Sequence, residues 1–307
     1  MSGAIVGRRG YPPAVTYRRL HLPGGIVEYV VDGPEEARDL LLFHLGTPCA
    51  AVPFDGLTRA AAAAGMRTAI YSRPGFGHST RRAGRTIADE AGTSAALADH
   101  LGHRRFYTAG WSGGGPVALA CAALLPDRVR ACLTLGSIAP WNEAGSISDA
   151  WFQPEVLADW RHLASASETE LVPEFEVAIH GFIGWTARSW AADPRANAAD
   201  REATLAPGGL GHAIARSMRR AVTSGYFGFL DDNVAEARDW GFRVADIRIP
   251  VVIRHGENDG FVNSAHGRWL AQTIPGARGV FPSDAGHTSI MVPFEEVIAE
   301  LVEAGAT

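Results

Sequence analysis

Lysine is missing from this chain: all 28 of its cationic residues are arginine. The arginines fall in ones and twos, and the formal net charge is −5, so nothing in the sequence builds the basic face that nucleic acid requires. Cysteine is scarce. Cys49, Cys121 and Cys132 are an odd number without close pairing, which excludes a disulfide framework and a four-cysteine zinc site and fits a reducing compartment. No apolar run approaches the roughly 20 residues that a spanning helix needs. The first ten residues hold arginines with no apolar stretch behind them, unlike a secretory signal. A cytoplasmic location is the expectation.

What is present is ordinary for a globular protein: 307 residues, 47% hydrophobic and 20% charged. That length suits one large α/β domain, with room for an inserted subdomain. The first fourteen residues read as a loose arm. Two strands, Thr16 to His21 and Gly25 to Val31, flank a Pro-Gly-Gly turn. Continuous apolar runs then alternate with helical patterns: strands at Asp39 to Leu45, Met66 to Ser72, Arg105 to Ala109 and Val129 to Leu135, helices at Phe54 to Ala64, Thr86 to Leu101 and Pro116 to Leu125. Unbroken apolar strands separated by helices predict a parallel sheet buried on both faces. The rhythm stops near Ser137. Residues 137–245 show alanine- and tryptophan-rich helical patches without a convincing strand, and the alternation returns with Ile249 to His255, Ser264 to Thr273, Gly279 to Phe281 and Pro293 to Ala304. A core of residues 1–136 and 246–307 interrupted by a helical cap is the simplest architecture.

Gly110-Trp111-Ser112-Gly113-Gly114 stands between a predicted strand and a predicted helix. In that context the G-x-S-x-G pattern has a physical reading. A strand turning straight into a helix puts its turning residue in strained backbone space, so small neighbours are needed, and the serine is held above the helix start. The Gly113 N–H is then free to donate to an oxyanion. A serine needs a base. His287 follows the last strand and Asp259 the one before it, so both belong at the same rim of the sheet as Ser112. Glu257 is the reserve for Asp259. The loop Phe43-His44-Leu45-Gly46-Thr47-Pro48 supplies a second donor, the N–H of Thr47, since Pro48 has none.

These motifs, with Ser72-Arg73-Pro74-Gly75-Phe76-Gly77-His78-Ser79 between them, resemble the α/β-hydrolase family in its branch with a helical cap. The resemblance covers about half to two-thirds of the chain. It implies an α/β fold with a mostly parallel sheet flanked by helices and a catalytic order of serine, aspartate and histidine. Two departures stand out: Leu45 separates His44 from Gly46 where the family often has His-Gly adjacent, and Ser72 stands where the family usually has aspartate. A serine at the elbow argues against epoxide hydrolysis and dehalogenation, which in this family use an aspartate there.

The expected function is a cofactor-free serine hydrolase that cleaves a carboxylic ester or lactone through an acyl-enzyme, its small-molecule substrate hydrophobic and covered by the cap, with no metal. Carbon–carbon bond hydrolysis and proline iminopeptidase activity would use the same triad, and a non-catalytic ligand-binding protein is the reading from another class. Leu45, Trp111 and Asp232 are candidate substrate contacts. Asp231 and Asp232 could instead begin a helix from Asn233 to Asp239. Six of the eight tryptophans lie in the inserted segment, where most would pack helices together and one or two would face substrate. Glu168, Glu170, Glu174 and Glu176 form an acidic run that would suit a substrate amine or simply face water. An exposed cap could also pair with its copy in a homodimer.

Overall fold

The computed structural model describes residues 15–144, 149–207 and 209–306; the arm expected at residues 1–14 lies outside the described residues. The strands are β1 (Arg18–Leu22), β2 (Gly25–Asp32), β3 (Asp39–His44), β4 (Met66–Tyr71), β5 (Phe106–Trp111), β6 (Val129–Leu135), β7 (Val251–Arg254) and β8 (Arg278–Val280). Every residue of β5 and β7 is buried, as are five of the six in β3, which is why these runs show no polar alternation. They form one sheet in the order β1-β2-β4-β3-β5-β6-β7-β8. The pairs β1–β2 and β2–β4 are antiparallel and all others parallel. The fold class expected from the sequence is the one observed.

Helices α1 (Asp55–Ala63), α2 (Asp89–His100) and α3 (Gly115–Leu124) cover the first half of the sheet. The segment after β6 contributes α4 (Trp141–Ala144), α5 (Pro154–Ser165), α6 (Glu168–Ala178), α7 (His180–Ile183), α8 (Ala187–Ala191), α9 (Ala198–Leu205), α10 (Leu210–Ala221) and α11 (Phe227–Ala237), and no strand among the described residues. Then α12 (Ser264–Thr273) and α13 (Phe294–Ala306) complete the flanks. On α10, Leu210, Ile214 and Met218 are buried at four-residue spacing, a helix docked by one stripe. The helix expected from Asn233 to Asp239 begins earlier, at Phe227, because Phe227 and Leu230 carry its apolar stripe upstream. Asp231 and Asp232 are therefore interior helix residues, both buried.

Register places the strand ends that matter side by side. His44 pairs with Gly110, and Leu135 with Arg254. The loops after β3, β5, β7 and β8 therefore converge at the carboxyl ends of neighbouring strands, the rim where open parallel sheets gather reactive groups.

Candidate active site

Ser112 has φ +54°, and among the described residues no other non-glycine adopts a positive φ. An L-residue there costs about 1–3 kcal/mol, which the surrounding packing must sustain. The neighbours explain how. A Cβ on Gly110 would strike the Gly114 carbonyl, and one on Gly114 would strike the carbonyl of His44. Only glycines let β5, the turn and β3 approach so closely. Residues 112–114 form a single 3-10 turn that feeds α3, with Pro116 at its start where an absent N–H costs nothing.

His287 and Asp259 form a buried pair, with Nδ1 of the histidine 2.7 Å from Oδ2 of the aspartate. Asp259 Oδ1 accepts from the N–H groups of Phe261 and Val262, each at 2.9 Å. Burial opposes ionisation of Asp259, but His287 and His255 outweigh it and hold the carboxyl below the usual carboxylate range. Glu257, the reserve candidate, instead pairs with Arg268 at the surface. The His287 ring is packed on by Phe261, stacked at 5.1 Å between centroids, and by Trp111 at 5.3 Å. Trp111 also donates from Nε1 to the His287 carbonyl at 2.8 Å. The residue beside Ser112 thus ties the elbow to the histidine loop. Among the described residues no hydrogen bond joins Ser112 Oγ to His287, an arrangement common before substrate closes the geometry.

The loop after β3 lies against the elbow: a Cβ on Gly46 would sit 3.0 Å from Ser112 Cβ, and one on Gly113 would collide with Thr47 Oγ1. Thr47 and Gly113 are therefore adjacent. Arg73 clamps this loop by donating to the carbonyls of Leu45 and Gly46, the latter at 3.1 Å. Its charge is balanced by Asp232, which it meets through Nε at 3.1 Å on both oxygens and which Arg85 also binds. Burial works against the charged form of Asp232, and the two guanidinium groups overcome it, lowering the carboxyl's pKa. Asp232 has no oxygen left for a substrate; its work is to hold Arg73 and Arg85. Leu45 is buried in the core. His44 is kept neutral, with its pKa pushed down to about 3 by burial and by Arg73.

Ser72 Oγ donates to Glu28 Oε1 of β2 at 3.2 Å and accepts from the Ala51 N–H at 2.9 Å. A carboxylate thus reaches this spot from the neighbouring strand. Burial pushes the Cys49 thiol up to about 11 and the Cys121 thiol to about 12, so neither is a second nucleophile.

One residue the sequence did not single out governs the histidine loop. Asp200 of α9, fully buried, accepts from three successive backbone N–H groups: His287 at 3.1 Å, Thr288 at 2.8 Å and Ser289 at 2.8 Å. The Ser289 hydroxyl adds a fourth bond at 2.8 Å. Such a nest of N–H groups is an anion receptor, here filled from within the chain. Asn197 caps α9 by accepting from the Asp200 N–H and donates to the Asn258 carbonyl at 3.2 Å, beside Asp259. From α8, Trp190 donates to Thr288 Oγ1 at 2.7 Å and stacks on Phe261. Trp190 thus meets the surroundings of His287, while Trp240, another of the segment's six tryptophans, is buried against helices and strands that flank the sheet's second half. Three of the acidic run are engaged elsewhere: Glu168 with Arg81, Glu170 in the capping box of α6 with Ser167, Glu174 with His162. A groove of about 890 Å³ opens between α1, α9, α10 and α13, lined by Phe54, Arg59, Leu210, Arg216, Arg254 and Phe294. Neither Ser112, Asp259 nor His287 borders it.

Comparison with known proteins adds to this geometry. A sequence profile for the alpha/beta hydrolase fold matches residues 39–165. The chain is 27% identical over 247 residues to a pimeloyl-[acyl-carrier protein] methyl ester esterase of Aromatoleum aromaticum, covering 74% of this chain and 83% of that protein. Among solved structures, an enol-lactonase from Burkholderia xenovorans superposes with a TM-score of 0.65 at 21% identity, covering 93% of this chain and all of the other. An esterase from Exiguobacterium antarcticum gives 0.67 at 16% identity, over 96% of this chain and all of its own.

Proposed function

The chain belongs to the α/β-hydrolase family, and from that premise we propose that it is a cofactor-free serine hydrolase that cleaves a carboxylic ester or lactone through an acyl-enzyme. The observation that carries the reading is Ser112 held at positive φ beside a buried His287–Asp259 pair, with Trp111 joining the two. An esterase as sequence relative, and an esterase and a lactonase of the same fold, point toward the ester and lactone classes.

In this mechanism Ser112 Oγ attacks the substrate carbonyl carbon as His287 Nε2 takes its proton. Asp259 fixes the imidazole and balances the charge that forms on it. The N–H groups of Gly113 and Thr47 donate to the tetrahedral oxyanion. Collapse breaks the bond to the leaving alkoxide, which departs with the proton from His287. Water, deprotonated by the same histidine, then attacks the acyl-enzyme and frees the acid and Ser112. Residues 137–245 act as a cap over a hydrophobic substrate, and residues 1–136 and 246–307 as the catalytic core.

The test is hydrolysis of a chain-length series of p-nitrophenyl acyl esters, with phosphonate labelling alongside. Ser112→Ala is expected to abolish turnover and labelling together, and the preferred acyl length then sizes the pocket. Turnover that survives in Ser112→Ala overturns the serine mechanism. Well-folded wild-type protein that neither labels nor turns over any ester or lactone favours a ligand-binding role.

A further inference from the structure

Beside the oxyanion loop lies a carboxyl group that the mechanism above does not use. Glu236 of α11 is buried, and its Oε1 is 2.6 Å from Thr47 Oγ1. The same hydroxyl oxygen is 2.7 Å from Asp232 Oδ2 and accepts from Arg73 Nη2 at 3.1 Å. A hydroxyl has one proton to give and here it faces two carboxyl groups at hydrogen-bonding distance. Asp232, bound by Arg73 and Arg85, is the ionised one. The second contact then requires a proton from the other partner: Glu236 donates to Thr47, and Thr47 donates to Asp232. Glu236 also occupies the space that a side chain on residue 113 would take, since a Cβ on Gly113 would collide with Oε1. Its carboxyl therefore touches both residues whose N–H groups are assigned to the oxyanion.

We propose that Glu236 is a positioning residue of the oxyanion hole, active while its carboxyl is protonated and switching the site off when that proton leaves. The inference rests on the reading of Ser112, Thr47 and Gly113 given above. Loss of the proton does two things. It leaves Thr47 with two carboxylates and one hydrogen, and it sets a buried negative charge against the place where the oxyanion develops. The charged and titratable groups around Glu236 are Asp232 on its own helix, Arg73 after β4 and Arg85 before α2. Glu90 of α2 stands 4.0 Å behind Arg85, and neutral His44 lies near Arg73. Burial first, and then the charge of Asp232, raise the Glu236 carboxyl to about 7, against the opposing pull of Thr47 and the two arginines. The change of state thus falls in the neutral range.

The test compares wild type with Glu236→Gln, whose amide keeps the donation to Thr47 and cannot ionise. The rate of phosphonate labelling at Ser112 is followed from pH 6 to pH 9, with ester turnover in parallel. For wild type a fall of about a hundredfold over that span is expected from a single ionisation near 7. For Glu236→Gln the ratio of the two rates is expected to rise at least about tenfold. Difference infrared spectra supply a readout independent of activity: a protonated-carboxyl band present at pH 6, lost by pH 9 and missing from Glu236→Gln. An unchanged ratio, or no such band at pH 6, overturns the proposal while Ser112 labelling keeps the serine mechanism standing. Absence of labelling in both proteins removes the serine reading and this one with it.

Discussion

The helical segment between β6 and β7 has two unlike halves. Helices α5 and α7 bury no residue at all, and α6 buries only Leu171 and Phe175. Val177 and Ile183 stand open to solvent at 71% and 59% exposure. Helices α8 to α11 are the opposite. They deliver Trp190 and Asp200 to the histidine loop, Asp232 and Glu236 to the loop after β3, and Ser217, whose hydroxyl donates to the Ala50 carbonyl at 2.6 Å, to the chain just beyond it. The first half is attached to the site; the second half is part of its framework. Sequence position within an insertion therefore says little about mechanical role, which follows from where the buried polar side chains go.

The sharpest way to break this contrast is Asp200→Ala. It strips an acceptor from three backbone N–H groups and a hydroxyl in a buried loop, and unsatisfied buried donors cost about 1–3 kcal/mol each. We expect a loss of at least about 3 kcal/mol in chemical denaturation, and in the protein that remains folded a kcat reduced about a hundredfold. A kcat within twofold of wild type would show that the His287 loop holds its shape without α9.

The next effect is in the pH dependence of stability. His266 of α12 accepts from the Ala139 N–H at 3.0 Å and packs against Trp151 and Phe152, where the outer half begins. Burial, helped by the nearby His255, pushes it down to about 3. In the unfolded chain it binds a proton near pH 6.5 and in the folded protein it does not, so its contribution is complete above pH 6.5 and is lost as pH falls toward 3. Replacing it by asparagine is expected to remove about 1.4 kcal/mol per pH unit of that acid slope, read as the difference between urea midpoints of the two proteins from pH 4.5 to 7. Parallel midpoint curves would mean His266 is not neutral when folded. The smallest effect belongs to the outer face: Val177→Ser and Ile183→Ser should each change stability by no more than about 0.5 kcal/mol and leave kcat/KM alone. A large loss of kcat/KM in either would make the outer half part of the framework too.

What could be read from the sequence follows the same division. The parallel sheet was visible because buried strands are apolar without interruption, and Ser112, Asp259 and His287 because each sits in a short motif directly after a strand. Thr47 was readable from its loop. Asp200, Glu236 and Glu28 are not, since each acts on residues from 44 to 189 positions away, and such a partner leaves no local periodicity. Faint signals exist: Asn197 and Asp200 have the spacing of a helix cap, and Asp232 and Glu236 lie one turn apart on the same helix. The middle of α11 also shows why its start is hard to read, because two adjacent aspartates look like a helix beginning until Arg73, Arg81 and Arg85 are brought beside them.

The carboxyl of Asp200, received by the loop after β8, has a consequence for engineering by parts. In a chimaera that exchanges residues 137–245 for the corresponding segment of another protein, the new segment must bring its own acceptor for the N–H groups of His287, Thr288 and Ser289. A graft chosen without regard to that carboxyl would arrive without the fitting, and the rest of the chain would have a histidine loop with nothing to close on. The portable unit in this protein is residues 1–136 and 246–307 together with α8 to α11, and a replacement for α5 to α7 needs only to cover Phe229 and Leu230 of α11, as Leu171, Phe175 and Phe182 do here.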